Sequence, residues 1–250
     1  MIDLNADLGE GFGRWTLTDD AALLAVVTSA NVACGFHAGD PSTMRRVCEQ
    51  AVAGGVRIGA QVSYRDLAGF GRRAMDVPSD ELADEVTYQI GALDVFARAA
   101  GDRVRYVKPH GALYNRIVAD EEQAAAVVAG VLRAGSGLAI LSLPGAAVHQ
   151  LAAEAGLPIV AEAFADRAYR SDGTLLRRGQ PGAVLADEAA VVAQALGLAR
   201  DGAVVAISGE RVVVRARSVC LHGDTPGAAA MAVAIRRALT EAGVAIGPFA

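Results

Sequence analysis

Short apolar runs alternate with runs of helical periodicity along the whole 250-residue sequence. The strand-like runs are Ile2–Ala6, Asn31–Gly35, Val56–Val62, a fourth that opens at Val104 and breaks at Pro109, Leu138–Leu143, Ile159–Ala163 and Ser218–Leu221. The clearest helical run sets Leu82, Val86, Ile90, Leu93 and Phe96 on one stripe. Strands that are each followed by a helix do not close as tight hairpins; they pair in parallel, with the helices as crossovers. Seven such strands, with no Gly, Ser or Pro run long enough to act as a linker, predict one α/β domain over residues 1–250. A closed or nearly closed irregular seven-stranded (β/α) barrel fits this pattern better than an open doubly wound sheet, and the odd strand number argues against a regular eight-stranded barrel. Val204–Ile207 and Arg211–Arg215 flank Ser208-Gly209 and read as a hairpin outside the series.

Capping residues set the expected helix ends. Thr18, Asp40 and Ser79 are predicted N-caps, with Pro41 at the first helical position after Asp40. Gly54-Gly55 and Gly101 stop helices. The last helix is expected to open at His222-Gly223-Asp224-Thr225-Pro226 and to run to about Ala242.

Composition excludes several classes. The net charge is −5 and no basic run occurs, which argues against nucleic acid or an anionic membrane surface as partner. The most apolar window, Ala134–Val148, is broken by Gly135, Gly137, Pro144 and Gly145 and is too short to span a bilayer. The start, Met1-Ile2-Asp3-Leu4, lacks a basic n-region and a long apolar stretch, so a cytoplasmic location is expected. Cys34, Cys48 and Cys220 are an odd number without CxxC spacing, which indicates neither a disulfide framework nor a zinc knuckle.

The polar residues gather just past the strands. Asp7 and Glu10 follow the first, His37 and Asp40 the second, Gln61 ends the third, and Lys108 and His110 follow the fourth. Glu162, Asp166 and Arg167 follow the sixth, and His222 and Asp224 the last. In parallel α/β folds these C-terminal strand ends meet at one mouth, where catalytic groups collect. Lys108 is the only lysine among 23 Lys and Arg, a compact charge in a chain that otherwise uses the guanidinium fork. HAGDP at 37–41 resembles HGDTP at 222–226, but an Asp before a proline serves equally well as a helix cap. Asp7, His37 and His222 offer an alternative metal-ligand set, although no HxxxH or HExxH pair is present and Gln61 stands where a third histidine would help. No P-loop and no GxSxG elbow occurs, and Gly9-Glu10-Gly11-Phe12-Gly13 lacks GxGxxG spacing. Arg167, Arg170 and Arg178 can fork onto a carboxylate or phosphate.

Taken together, IDLNADLGEGFG, SANVACGFHAGDP, AGFGRR, YQIGAL, VKPHGALYN, EAFADRAYRSDGTLLRRGQPGAV and CLHGDTPGA resemble the LamB/YcsF family from Ile2 to about Ala245. The resemblance implies a barrel of the glycoside hydrolase/deacetylase type. It also implies ATP-dependent opening of 5-oxo-L-proline to L-glutamate as the A subunit of a multi-subunit 5-oxoprolinase, with the B and C subunits as partners and Mg²⁺ accompanying the ATP. The family motifs place Asp7, His37, Lys108, His110, Asp166, Arg167, His222 and Asp224 at the mouth. The roles then expected are Lys108 as charge stabiliser, Asp7 or His110 as base, His222 as acid, and Arg167 on the substrate carboxylate, with Asn5, Glu10, His37, Gln61, Asp166 and Asp224 also lining the substrate. One departure is Gly59-Ala60-Gln61-Val62-Ser63-Tyr64, where the family pattern is GAHPGY. Two other readings stand beside this one: a metal-dependent amide or carbohydrate hydrolase, and a non-catalytic component that only binds substrate. A homo-oligomer is compatible with each.

Overall fold

The computed structural model describes residues 1–135, 137–225 and 227–250. Seven parallel strands close into a barrel: β1 (Asp3–Leu8), β2 (Ser29–Ala33), β3 (Arg57–Val62), β4 (Val104–Pro109), β5 (Ala139–Ser142), β6 (Ile159–Phe164) and β9 (Ser218–Leu221). Closure comes from β9, which pairs with β6 (Phe164 opposite Cys220) and with β1 (Ala6 opposite Leu221). The two remaining strands, β7 (Ala203–Val205) and β8 (Arg211–Val213), form the expected antiparallel hairpin apart from the barrel.

The helices are α1 (Asp20–Leu24), α2 (Pro41–Ala53), α3 (Ser79–Ala99), α4 (Gly111–Arg116), α5 (Glu121–Ala134), α6 (Ala147–Glu154), α7 (Glu188–Asp201) and α8 (Ala228–Glu241). Each strand sends alternate side chains outward to this layer, as Leu4, Ala6 and Leu8 do from β1, and these join the main apolar core with Leu82, Val86 and Leu93 of α3. No described helix is long and apolar enough to cross a membrane.

The other alternate set points into the barrel and is largely polar. Asp3, Asn5 and Asp7 of β1, Ser29 and Asn31 of β2, Gln61 of β3, Lys108 of β4, Glu162 of β6 and Ser218 of β9 are all buried. They bond to one another: Asn5 Nδ2 donates to Ser218 Oγ at 2.6 Å, and Asn31 Nδ2 donates to Asn5 Oδ1 at 2.7 Å and to Asp7 Oδ1 at 2.9 Å. An apolar group, Tyr106, Ala139, Leu141 and Val160, packs with Phe249 of the C-terminal tail. Gly59 makes room for Tyr106, since a Cβ there would overlap its ring.

This inward polarity explains where the strand boundaries differ from expectation. The first strand runs on through Asp7 to Leu8, and the second starts at Ser29, two residues before the predicted Asn31, because these polar positions carry inward-facing hydrogen bonds. Asp40 caps α2 by accepting from the backbone N–H groups of Ser42 and Thr43, as expected. Two other caps move: Asp19 caps α1 in place of Thr18, and Ser79 is the first residue of α3, its hydroxyl donating to Glu122. The expected helix opening at Pro226 lies outside the described residues; α8 starts at Ala228 behind a left-handed Gly227. Helix α4, which directly follows His110, is an addition to the expected series.

Candidate functional site

Lys108 sits where β4 ends and is 2% exposed, with its ammonium inside the barrel. It donates to Asp7 Oδ1 at 3.0 Å and Cys220 Sγ at 3.0 Å, lies 3.1 Å from Glu162 Oε2, and faces the Phe164 ring at 5.2 Å. Burial disfavours the ammonium, but Asp7, Cys220 and Glu162 outweigh it and raise its pKa well above that of an ordinary lysine. Burial acts on Asp7 as well, yet the Lys108 charge holds this carboxyl well below the usual carboxylate range. Burial prevails at Glu162, whose carboxyl is pushed up to about 7. The floor of the mouth therefore holds a fixed cation, a fixed anion and a carboxyl that titrates near neutrality.

A second cluster lies beside the first. Glu10 Oε1 is 3.7 Å from His110 Nε2 and 4.0 Å from His37 Nε2, and the two imidazoles stack with centroids 4.1 Å apart. The Gln61 amide bridges it, with Nε2 donating to Glu10 at 3.1 Å and Oε1 lying 3.2 Å from His37 Nε2. Burial lowers His37 to about 4, while burial and the neighbouring His37 hold His110 well below 6.5. Burial, Asp7 and Asp224 together push Glu10 well above an ordinary glutamate. A loop seals this cluster. Phe70, at φ 55, stands edge-on to both histidines at 5.8 and 5.4 Å. A Cβ on the following Gly71 would come within 3.0 Å of His110 Nδ1 and of His37 Cβ.

The third group is a dyad at the end of β9. His222 Nδ1 lies 2.9 Å from Asp166 Oδ1, and Asp166 also accepts from the His222 backbone N–H and from Thr225. Burial opposes the Asp166 charge, but His222 keeps this carboxyl below its usual value. The ring stacks on Phe164 at 5.2 Å. With Nδ1 held by Asp166, Nε2 is the nitrogen left for the cavity that His222 helps to line.

Asp7, Lys108, His110, Phe164 and His222 share a cavity of about 840 Å³ whose rim carries Arg72, Arg167, Arg170, Arg177 and Arg178. Arg72 and Arg178 face Asp224 at 2.7 and 3.8 Å. Arg178 Nη2 is buried without a hydrogen-bond partner. Arg167 differs: its Nε and Nη2 donate to the backbone carbonyls of Ala183 and Leu176, and burial with the nearby Arg178 lowers it to about 10.

The sequence-predicted residues thus fall into distinct places. Asp7, Lys108, His110, Arg167 and His222 line the cavity. Asn5 lies deeper, held by Glu162 and Ser218. Asp166 is turned to His222, and Asp224 bridges rim arginines instead of capping α8. The alternative metal set Asp7, His37 and His222 is not brought together: Asp7 is held by Lys108 and Asn31, and His222 by Asp166. Among the described residues, the group of three His, Cys, Asp or Glu whose ligand atoms lie within 4.8 Å of one another is Glu10, His37 and His110. Glu162, Phe70 and Arg178 join the site beyond the residues that the family motifs imply. The strand pattern Val160-x-Glu162-x-Phe164 carries the signal for Glu162, because its period of two puts that carboxyl on the Lys108 side of β6.

The LamB/YcsF family model matches residues 2–250. The chain is 70% identical over 250 residues to the A subunit of 5-oxoprolinase from Streptomyces coelicolor, covering 100% of both chains. It is 59% identical over 248 residues to the A subunit of 5-oxoprolinase from Mycobacterium avium, covering 99% of this chain and 98% of that one. The fold superposes on the lactam utilization protein from Thermus thermophilus with a TM-score of 0.94 and 42% identity over 99% of each chain. A polysaccharide deacetylase from Bacillus cereus, 12% identical with a TM-score of 0.51 over 100% of this chain and 93% of that one, shares the barrel fold alone. Barrel, motifs and full-length similarity agree, and the chain belongs to the LamB/YcsF family.

Proposed function

We propose that this chain is the A subunit of an ATP-dependent 5-oxoprolinase and opens 5-oxo-L-proline to L-glutamate together with the B and C subunits. The observation that carries this reading is the buried Lys108, set between Asp7 and Glu162 on the floor of an arginine-rimmed cavity. The relatives named as the A subunit of 5-oxoprolinase and the lactam utilization protein support the choice of substrate.

A lactam carbonyl resists water because its nitrogen lone pair is delocalised into it. In this reading ATP, with its accompanying Mg²⁺, phosphorylates the lactam oxygen and turns it into a leaving group. Water then adds to the ring carbon, losing a proton to a base; the C–N bond breaks as the nitrogen takes up a proton, leaving an acyl phosphate, and a second water hydrolyses this to the free carboxylate and phosphate. Lys108 offers a permanent charge to the oxygen as it becomes negative. His222, oriented by the ionised Asp166, is the better candidate for moving protons. His110 is a weak base in its buried setting and Asp7 is one beside the Lys108 charge, so His222 replaces both as the candidate for the water proton. Arg178, whose Nη2 lacks a hydrogen-bond partner and stands 3.8 Å from Asp224, is better placed than Arg167 to take the substrate carboxylate. An ATP-dependent reaction of this kind belongs in the cytoplasm, where the buried thiols of Cys34, Cys48 and Cys220 stay reduced.

The test is glutamate release from 5-oxoproline, coupled to ADP formation, by this chain mixed with the B and C subunits. Activity is expected only with all three, and it should vanish with Lys108→Ala. Full turnover by that variant would overturn the role given to Lys108, and no glutamate from the complete mixture would overturn the substrate.

A further inference from the structure

We infer that Glu10, His37 and His110 form a binding site for one divalent cation of the zinc class, with the Gln61 amide oxygen as a fourth, neutral donor. The two halves of the mouth differ in how their charge is met. Asp7 and Glu162 have a built-in cation in Lys108. Glu10 has none: its ion-pair contacts among the described residues are the two imidazoles alone. Its Oε2 is buried without a hydrogen-bond partner. A carboxylate and two imidazoles are a donor set of catalytic zinc, and a neutral oxygen can complete a tetrahedron.

The geometry is close to what an ion needs. Zinc sits about 2.0–2.2 Å from nitrogen or carboxylate oxygen, so donors around it stand roughly 3.3–3.6 Å apart. The Glu10 Oε1 separations of 3.7 Å to His110 and 4.0 Å to His37 need contract by only a few tenths of an ångström. Gln61 Oε1 is already 3.2 Å from His37 Nε2. The donors stand at or just past the ends of β1, β2, β3 and β4, and the Phe70-Gly71 loop closes over the imidazoles. The Nδ1 atoms of both histidines lack a hydrogen-bond partner. Outer acceptors on ligating histidines strengthen metal sites by about 10–100-fold, so this site should bind more weakly than one that has them.

The experiment uses the full chain, stripped with a chelator, dialysed, and titrated with Zn²⁺ while calorimetry and elemental analysis follow uptake. One zinc per chain is expected for the wild type, and its loss in Glu10→Gln and in His110→Ala. Gln61→His, which exchanges the weak donor for an imidazole, should bind zinc more tightly than the wild type. Co²⁺ in the same site should show the visible absorption of tetrahedral coordination. A wild type that is folded by circular dichroism but takes up no zinc would overturn the inference, as would full uptake by folded Glu10→Gln and His110→Ala. If those two variants misfold, Gln61→His decides, and unchanged affinity there would be fatal. These readouts do not depend on lactam turnover, so a failure here is distinct from a failure of the 5-oxoprolinase reading.

Discussion

At the scale of single residues, the mouth is governed by which buried charges have partners. Lys108→Met would leave Asp7 and Glu162 facing each other without their cation. Breaking a buried pair in this way costs roughly 3–5 kcal/mol, so the urea midpoint should fall sharply along with turnover. Asp166→Asn asks a different question. It keeps the shape at His222 while removing the charge that orients the ring. In the three-subunit assay turnover should drop by about 10²–10⁴-fold with little change in KM. A folded variant that loses stability but keeps its turnover would assign Asp166 a purely structural role. The importance of Lys108 can be read from one number, its singularity among the cations. Its pairing with Glu162 cannot, because α4, α5, β5 and α6 all lie between them in the chain.

At the scale of elements, two sequence motifs that look alike have different uses. Asp40 caps α2 with bonds of 2.9 and 3.1 Å to the backbone of Ser42 and Thr43. Asp40→Ala should therefore lower stability by about 1 kcal/mol, seen as a lower melting temperature with the circular dichroism spectrum retained. Asp224, the aspartate of the second motif, holds Arg72 and Arg178 at the rim. The sequence could not separate the two, since cap preference is local and the rim contacts join distant loops. Strand β3 carries its own constraint. Gly59→Ala would drive a methyl group into the Tyr106 ring and either displace that ring from its bond to Asn31 or distort the strand. Overpacking of this kind costs typically about 1–3 kcal/mol, measurable as a shift in chemical denaturation.

At the scale of the whole molecule, two buried titrating groups act on stability in opposite directions between about pH 4 and pH 7. Glu162 is raised to about 7 from 4.5, so the folded chain binds its proton more tightly than the unfolded chain. That contribution is fully present below pH 4.5 and is lost as pH rises through about 7. His37 is lowered to about 4 from 6.5, so its contribution is present above pH 6.5 and is lost as pH falls through about 4. Urea midpoints measured across this range should show Glu162→Gln flattening the decline on the alkaline side and His37→Gln flattening the acid side. If neither variant changed the shape of the curve, the burial assigned to these groups would be wrong.

The sequence by itself determined the α/β class, the seven core strands, the hairpin beside them and the strand ends that carry polar groups. Each of these follows from periodicity and caps, which act over a few residues. Only the tertiary structure decided which polar groups meet. Closing the barrel through β6, β9 and β1 brings Glu162 to Lys108 and Asp166 to His222, and it leaves Glu10 with two histidines and no cation. Local pattern cannot specify such pairings, because they are set by the register of strands far apart in the chain and by the inward half of a period-two alternation.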